Sequence, residues 1–134
     1  MDPRLRYKTT QAQSWTRIDM LIHIYDHAIS SLEAGAAALN AGKNLNEGSF
    51  RRDASERVML IVDGLALEAG ELPQNILRLC TFVMDRIYTN DAAAWSHSAQ
   101  LLATVRSGFE EIRDEANAAE ACGQIPAVNF AGVA

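Results

Sequence analysis

The sequence predicts an all-α protein: an antiparallel four-helix bundle with an amino-terminal arm and a mobile carboxy-terminal tail. Three observations carry this. Apolar residues recur at helical spacing through four stretches. The breakers between the stretches, near Lys43, Gly70 and Asn90, are short enough to join neighbouring helices. No stretch alternates apolar and polar residues as a strand would. The expected boundaries are an arm over 1–15, a bundle over 16–121 and a tail over 122–134. A chain of 134 residues is long enough to bury one core.

The first helix is expected from about Thr16 to Asn40. Ser14 or Thr16 can cap it, and Asp19 in its first turn suits the helix dipole. With Tyr25 at the centre of a helical wheel, Ile18, Leu21, Ile22, Ala28, Ile29, Leu32, Ala36 and Leu39 fall within roughly 60° of it. Met20 and Ile24 lie roughly 100–140° round the helix on one flank, with Gly35 near the same side. That apolar surplus can complete a wide core or dock another chain. Asn40 to Asn44 carries the residues a helix C-terminus favours, and Asn44 to Phe50 reads as loop.

The second helix is expected to begin near Asp53, which with Glu56 resembles a capping box. Val58, Ile61, Val62, Leu65 and Ala69 keep the helical period, and Met59, Leu60 and Leu67 widen that stripe. Gly70-Glu71-Leu72-Pro73 is the next break, with Pro73 suited to a first turn. The third helix then runs to about Thr89. Its stripe is Leu72, Ile76, Leu79, Val83 and Ile87. Asn90-Asp91 supplies a turn and a cap. The fourth helix runs from about Ala92 to Ala121, on a stripe including Trp95, Ala99, Leu102 and Phe109, and Gly123 stops it.

Charge and composition exclude several functions. A formal charge of −5 argues against nucleic-acid binding, which needs a concentrated basic surface. The chain opens Met1-Asp2-Pro3-Arg4 with no apolar stretch behind it, so no secretory leader is expected. No apolar run approaches the roughly 20 residues of a membrane helix. Cys80 and Cys122 have no metal-type spacing and read as reduced thiols in a cytoplasm, with a disulfide between them as the alternative. Cys80 sits in an apolar run and is expected to pack as a small hydrophobe.

No catalytic motif and no cofactor motif is present, so the chain is read as a non-enzyme that needs no cofactor. His23 and His27, at i and i+4, could place two imidazoles together as metal ligands. They fall about 160° from the core centre and are read instead as a solvated face. An exposed histidine on a bundle also suggests histidine phosphotransfer. The acidic neighbours Asp19 and Asp26 disfavour an incoming phosphoryl group there. Asp26 is either a surface carboxylate paired with an arginine or a binding group. Asn75 is either an exposed polar residue or an amide that bonds the backbone of a docked segment.

Two stretches resemble the flagellin-specific export chaperones, the FliS family. Leu21-Ile22-His23-Ile24-Tyr25-Asp26-His27-Ala28-Ile29 is similar to that family's Leu-Leu-x-Met-Leu-Tyr-Asp-Gly-Ala-Ile. Gly70-Glu71-Leu72-Pro73-Gln74-Asn75-Ile76-Leu77-Arg78-Leu79-Cys80 follows the outline of its Gly-Gly-Glu-Ile-Ala-x-Asn-Leu-x-x-Leu-Tyr. Tyr7 matches an aromatic residue of the family's arm, and Thr89-Asn90-Asp91 resembles its turn into the last helix. The likeness extends over about residues 7 to 116. His27 replaces the family's glycine, Arg17 its proline and Cys80 its tyrosine.

The resemblance implies a chaperone of bacterial flagellum biogenesis and protein export. Such a chaperone binds the carboxy-terminal segment of flagellin in the cytoplasm, prevents premature polymerisation and assists export. The export apparatus is a further expected partner, and the free protein is expected as a monomer or weak homodimer. Carried residue by residue, the resemblance makes Tyr7, Ile24, Tyr25, Asp26, Asn75, Ile76 and Leu79 the flagellin-binding residues. Tyr25 and Asp26 would hold the surface in shape or bond the client, Asn75 would contact backbone, and Ile24, Ile76 and Leu79 would give apolar contact. The alternative function is a helical-bundle signalling module, a histidine phosphotransfer or scaffold domain.

Overall fold

The computed structural model of the protein describes residues 16–123. The expected arm and all but the first two residues of the expected tail lie outside them. Five α-helices follow in order: α1 (Arg17–Asn40), α2 (Phe50–Asp63), α3 (Glu71–Ile87), α4 (Ala92–Glu111) and α5 (Arg113–Ala121), with a 3-10 turn at Leu67–Ala69 before α3. Among the described residues there is no strand. The contacts form two compact units. One is Ile24–Ser107; the other comprises the described residues before Ile24 and after Ser107.

In the unit Ile24–Ser107 each helix buries one stripe. Tyr25, Ala28, Leu32 and Ala36 do so on α1, and Ala54, Val58 and Ile61 on α2. Ile76, Cys80, Val83 and Ile87 follow on α3, with Trp95, Ala99 and Leu102 on α4. The steps of three and four keep each stripe on one side of its helix. Each fully buried Leu, Ile or Val contributes roughly 1.5–3 kcal/mol. α2 and α3 pack on one another, and α3 also packs on the 3-10 turn.

The helix ends are fixed locally. Thr16 Oγ1 accepts the Asp19 N–H at 3.3 Å, so Thr16 caps α1. At the other end Gly42 turns left-handed, with φ +77°. The Gly42 N–H donates to Leu39 O at 3.0 Å and the Lys43 N–H to Ala38 O at 2.9 Å. This pair of bonds is a Schellman ending, which needs a residue that tolerates positive φ. Asp91 Oδ1 accepts the Ala93 N–H at 3.0 Å and caps α4. Arg51 of α2 serves the C-terminal end of α3: it donates to Ile87 O, to Thr89 O at 2.9 Å and to Asn90 Oδ1. A cation there satisfies carbonyls that the helix leaves unpaired.

In the other unit Ile18 and Ile22 are buried. Arg113 Nε of α5 donates to Asp19 Oδ1 at 2.7 Å. The Arg17 N–H, in the first turn of α1, lies 3.3 Å from both carboxylate oxygens of Glu120.

Three expectations need correction. α2 starts at Phe50 and not near Asp53. Asp53 does not cap the helix; its Oδ2 accepts Ser49 Oγ at 2.8 Å from one turn earlier. The expected fourth helix breaks at Ile112, where φ −99° and ψ 4° separate α4 from α5. The break follows the Ser107-Gly108 pair, a weak point of the helical backbone. Leu72 leaves its expected stripe, 62% exposed in the first turn of α3, and Cys80 rather than Leu79 completes the buried row. Leu45 lies in the loop, as the sequence predicts, and is buried there.

Candidate docking surface

The residues singled out in the sequence do not form one exposed surface. Tyr7 lies outside the described residues. Tyr25 is 1% exposed and Ile76 is also buried, so both belong to the core. Ile24 and Leu79 are half-buried, and Asn75 is exposed. Asn75 Oδ1 accepts Arg78 Nη1 at 3.2 Å, a bond within one turn of α3. Asp26 Oδ1 accepts Arg106 Nε of α4 at 2.6 Å. Asp26 is thus a partly exposed carboxylate paired with an arginine, an interaction of about 0–1 kcal/mol.

Tyr25 on α1 and Cys80 on α3 lie inside the core, and the charge state of Cys80 acts on Tyr25. Burial raises the Tyr25 phenol well above its ordinary value, and the negative charge on Cys80, which ionises first, pushes in the same direction. Burial pushes Cys80 up to about 11. Both groups are protonated at neutral pH, and a thiol in this state is a poor nucleophile. Cys122 is exposed, and both cysteines are free.

The flank of α1 is more internal than the wheel alone suggests. Gly35 is buried, and a Cβ built there would meet the Trp95 ring at 2.3 Å. Glycine at this position lets α1 and α4 approach over the indole face. Trp95 is fully buried, and its indole N–H donates to Thr89 O at 3.2 Å.

Large exposed apolar side chains lie elsewhere. Met59 and Leu60 on α2, Leu67 in the 3-10 turn, and Leu72, Phe82 and Tyr88 on or next to α3 are all exposed. Sequence periodicity had Met59, Leu60 and Leu67 broadening a buried stripe. Two of these faces are nevertheless fastened. Gln74 Nε2 donates to Leu67 O at 3.2 Å and holds the turn. The Arg86 guanidinium lies 4.3 Å above the Phe82 ring, whose edge meets His97 at 6.4 Å between centroids. The sequence signal for this exposure was available: at about 100° per residue, Leu60 falls nearly opposite the stripe of Val58, Ile61, Val62 and Leu65, and Met59 falls at its edge.

His27 is exposed and His23 half-buried. Among the described residues, no three or more His, Cys, Asp or Glu side chains are grouped to hold a metal. No described helix is long and apolar enough to cross a membrane. No family model, no curated protein and no solved structure matches the chain.

Proposed function

We propose that the protein is a cytoplasmic chaperone of flagellar export, similar to the FliS family, that takes up the carboxy-terminal segment of flagellin. One observation carries this reading beyond the resemblance. Large apolar side chains stand exposed from Met59 through Tyr88 on a chain with a formal charge of −5. An exposed apolar surface suits the apolar side of a segment that becomes helical on docking. The acidic remainder keeps such a complex in solution. In this reading the helices close as an antiparallel four-helix bundle. Asn75, Leu79 and Ile24 border the client, while Tyr25, Asp26 and Ile76 hold the helices that present it. Tyr7 enters through the resemblance alone.

The test is capture of purified flagellin by the full chain, with intact flagellin compared with flagellin lacking its last ~40 residues, a span of several helical turns. Capture of the intact protein and loss on truncation is the expected result. Equal capture of both, or of neither, refutes the reading.

A further inference from the structure

Asp53 and Arg57 sit one turn apart on α2, the spacing at which opposite charges pair along a helix surface. Each is committed to a serine instead. Asp53 Oδ2 accepts Ser49 Oγ at 2.8 Å, and Arg57 Nη1 crosses to α1 to donate to Ser31 Oγ. Ser31 is buried. The two charges therefore stand beside a cleft of about 320 Å³ between α1 and α2, with Ser30 and Ala34 on the α1 side and Phe50 on the α2 side.

The walls define what fits. Arg57 keeps further N–H donors, and Asp53 Oδ1 keeps acceptor capacity. A carboxylate entering the cleft meets Asp53, and an ammonium meets Arg57. A neutral group carrying an acceptor and a donor on one carbon satisfies both at once. The Ala34 methyl and the Phe50 ring offer apolar contact for a short methylene stem. The cleft is open to solvent, so it would leave much of a free metabolite in water where ligand pockets bury most of theirs. It suits the tip of one side chain whose backbone stays outside.

We propose that this cleft receives the carboxamide of an asparagine or glutamine side chain from a partner polypeptide, with the amide oxygen toward Arg57 and the amide NH₂ toward Asp53. The inference is independent of flagellin as the partner.

The experiment is an amide-NMR titration of the full chain with N-acetyl-glutamine-N-methylamide and with its glutamate, lysine and alanine counterparts. Saturable shifts at Ser30, Ser31, Phe50 and Asp53 are expected with the glutamine probe. The charged probes should bind about 3–5-fold more weakly, the size of one exposed charge contact, and the alanine probe should leave these signals unmoved. Asp53→Asn should turn the preference toward the glutamate probe, and Arg57→Gln toward the lysine probe. Should Arg57→Gln lose its folded spectrum, the Asp53→Asn exchange decides alone. Equal response to glutamine and alanine probes, or an unchanged preference in Asp53→Asn, overturns the proposal. Free glutamine binding as tightly as the capped probe overturns the assignment to a polypeptide side chain.

Discussion

The Gly35–Trp95 joint and the surface from Met59 to Tyr88 treat apolar side chains in opposite ways. At the joint a missing Cβ allows α1 to settle against a fully buried indole. Between Met59 and Tyr88, large side chains stay in water although they sit on helices with well-buried stripes. The first region leaves no room for an added methyl group; the second leaves large apolar side chains in contact with water. A helix can thus be closed on one side and open on the next, and the difference lies in its neighbours rather than in its own periodicity.

The joint should break hardest. Trp95→Ala removes the largest fully buried side chain and should cost about 3–5 kcal/mol in urea unfolding. Gly35→Ala should cost about 1–3 kcal/mol by overpacking. In the Trp95→Leu background the added methyl should cost measurably less. Equal cost in both backgrounds would show that the indole is not what Gly35 makes room for.

Arg51→Ala comes next. It removes charge-assisted bonds to the end of α3, each worth about 1.5–3 kcal/mol where water is excluded and less at this partly exposed site. A loss of about 1 kcal/mol is expected, together with faster amide exchange at residues 88–90. Unchanged exchange would leave that corner to its own turn chemistry.

A pH titration sharpens the picture of the closed core. Cys80 is raised from an ordinary 9.0 to about 11 in the folded chain. Between those values the folded state holds a proton that the unfolded state has lost, so stability is complete below pH 9 and falls as pH rises toward 11. Tyr25, also raised, extends the loss further into alkali. Cys80→Ala should flatten the first part of the melting-temperature decline above pH 9. An identical decline in that variant would assign it to other groups.

The smallest effect on folding belongs to the open surface. Leu60→Ser, at a side chain 54% exposed, should change stability by no more than about 0.5 kcal/mol. Flagellin capture should nevertheless weaken. A loss of stability as large as that from Gly35→Ala would show Leu60 to be structural.

Much of the helical framework was legible in the sequence because its punctuation is chemical and local. Thr16, Gly42 and Asp91 act where their residue types predict, since capping depends on a few consecutive backbone groups. The start of α2 was not legible. Asp53-x-x-Glu56 satisfies the pattern of a capping box, but Phe50 already lies within the helix, and Ser49 bonds Asp53 from one turn before. Leu45 was legible as loop from its Asn, Glu and Gly neighbours, whereas its burial there was not. Leu72 satisfies the period, but a stripe residue in a first turn is buried only where a neighbour reaches it. In the candidate surface, Asp26 was readable as one half of an ion pair. Arg106, eighty residues away, was not readable as the other half.

Arg51 makes the corner after α3 depend on a distant stretch of the chain. Its guanidinium bridges a chain separation of 36 to 39 residues to reach Ile87, Thr89 and Asn90. The first turn of α2 and the corner after α3 are thereby held to one another by a single side chain. When the start of α2 frays, the corner loses its tether in the same event, and the two distant segments open as one cooperative unit.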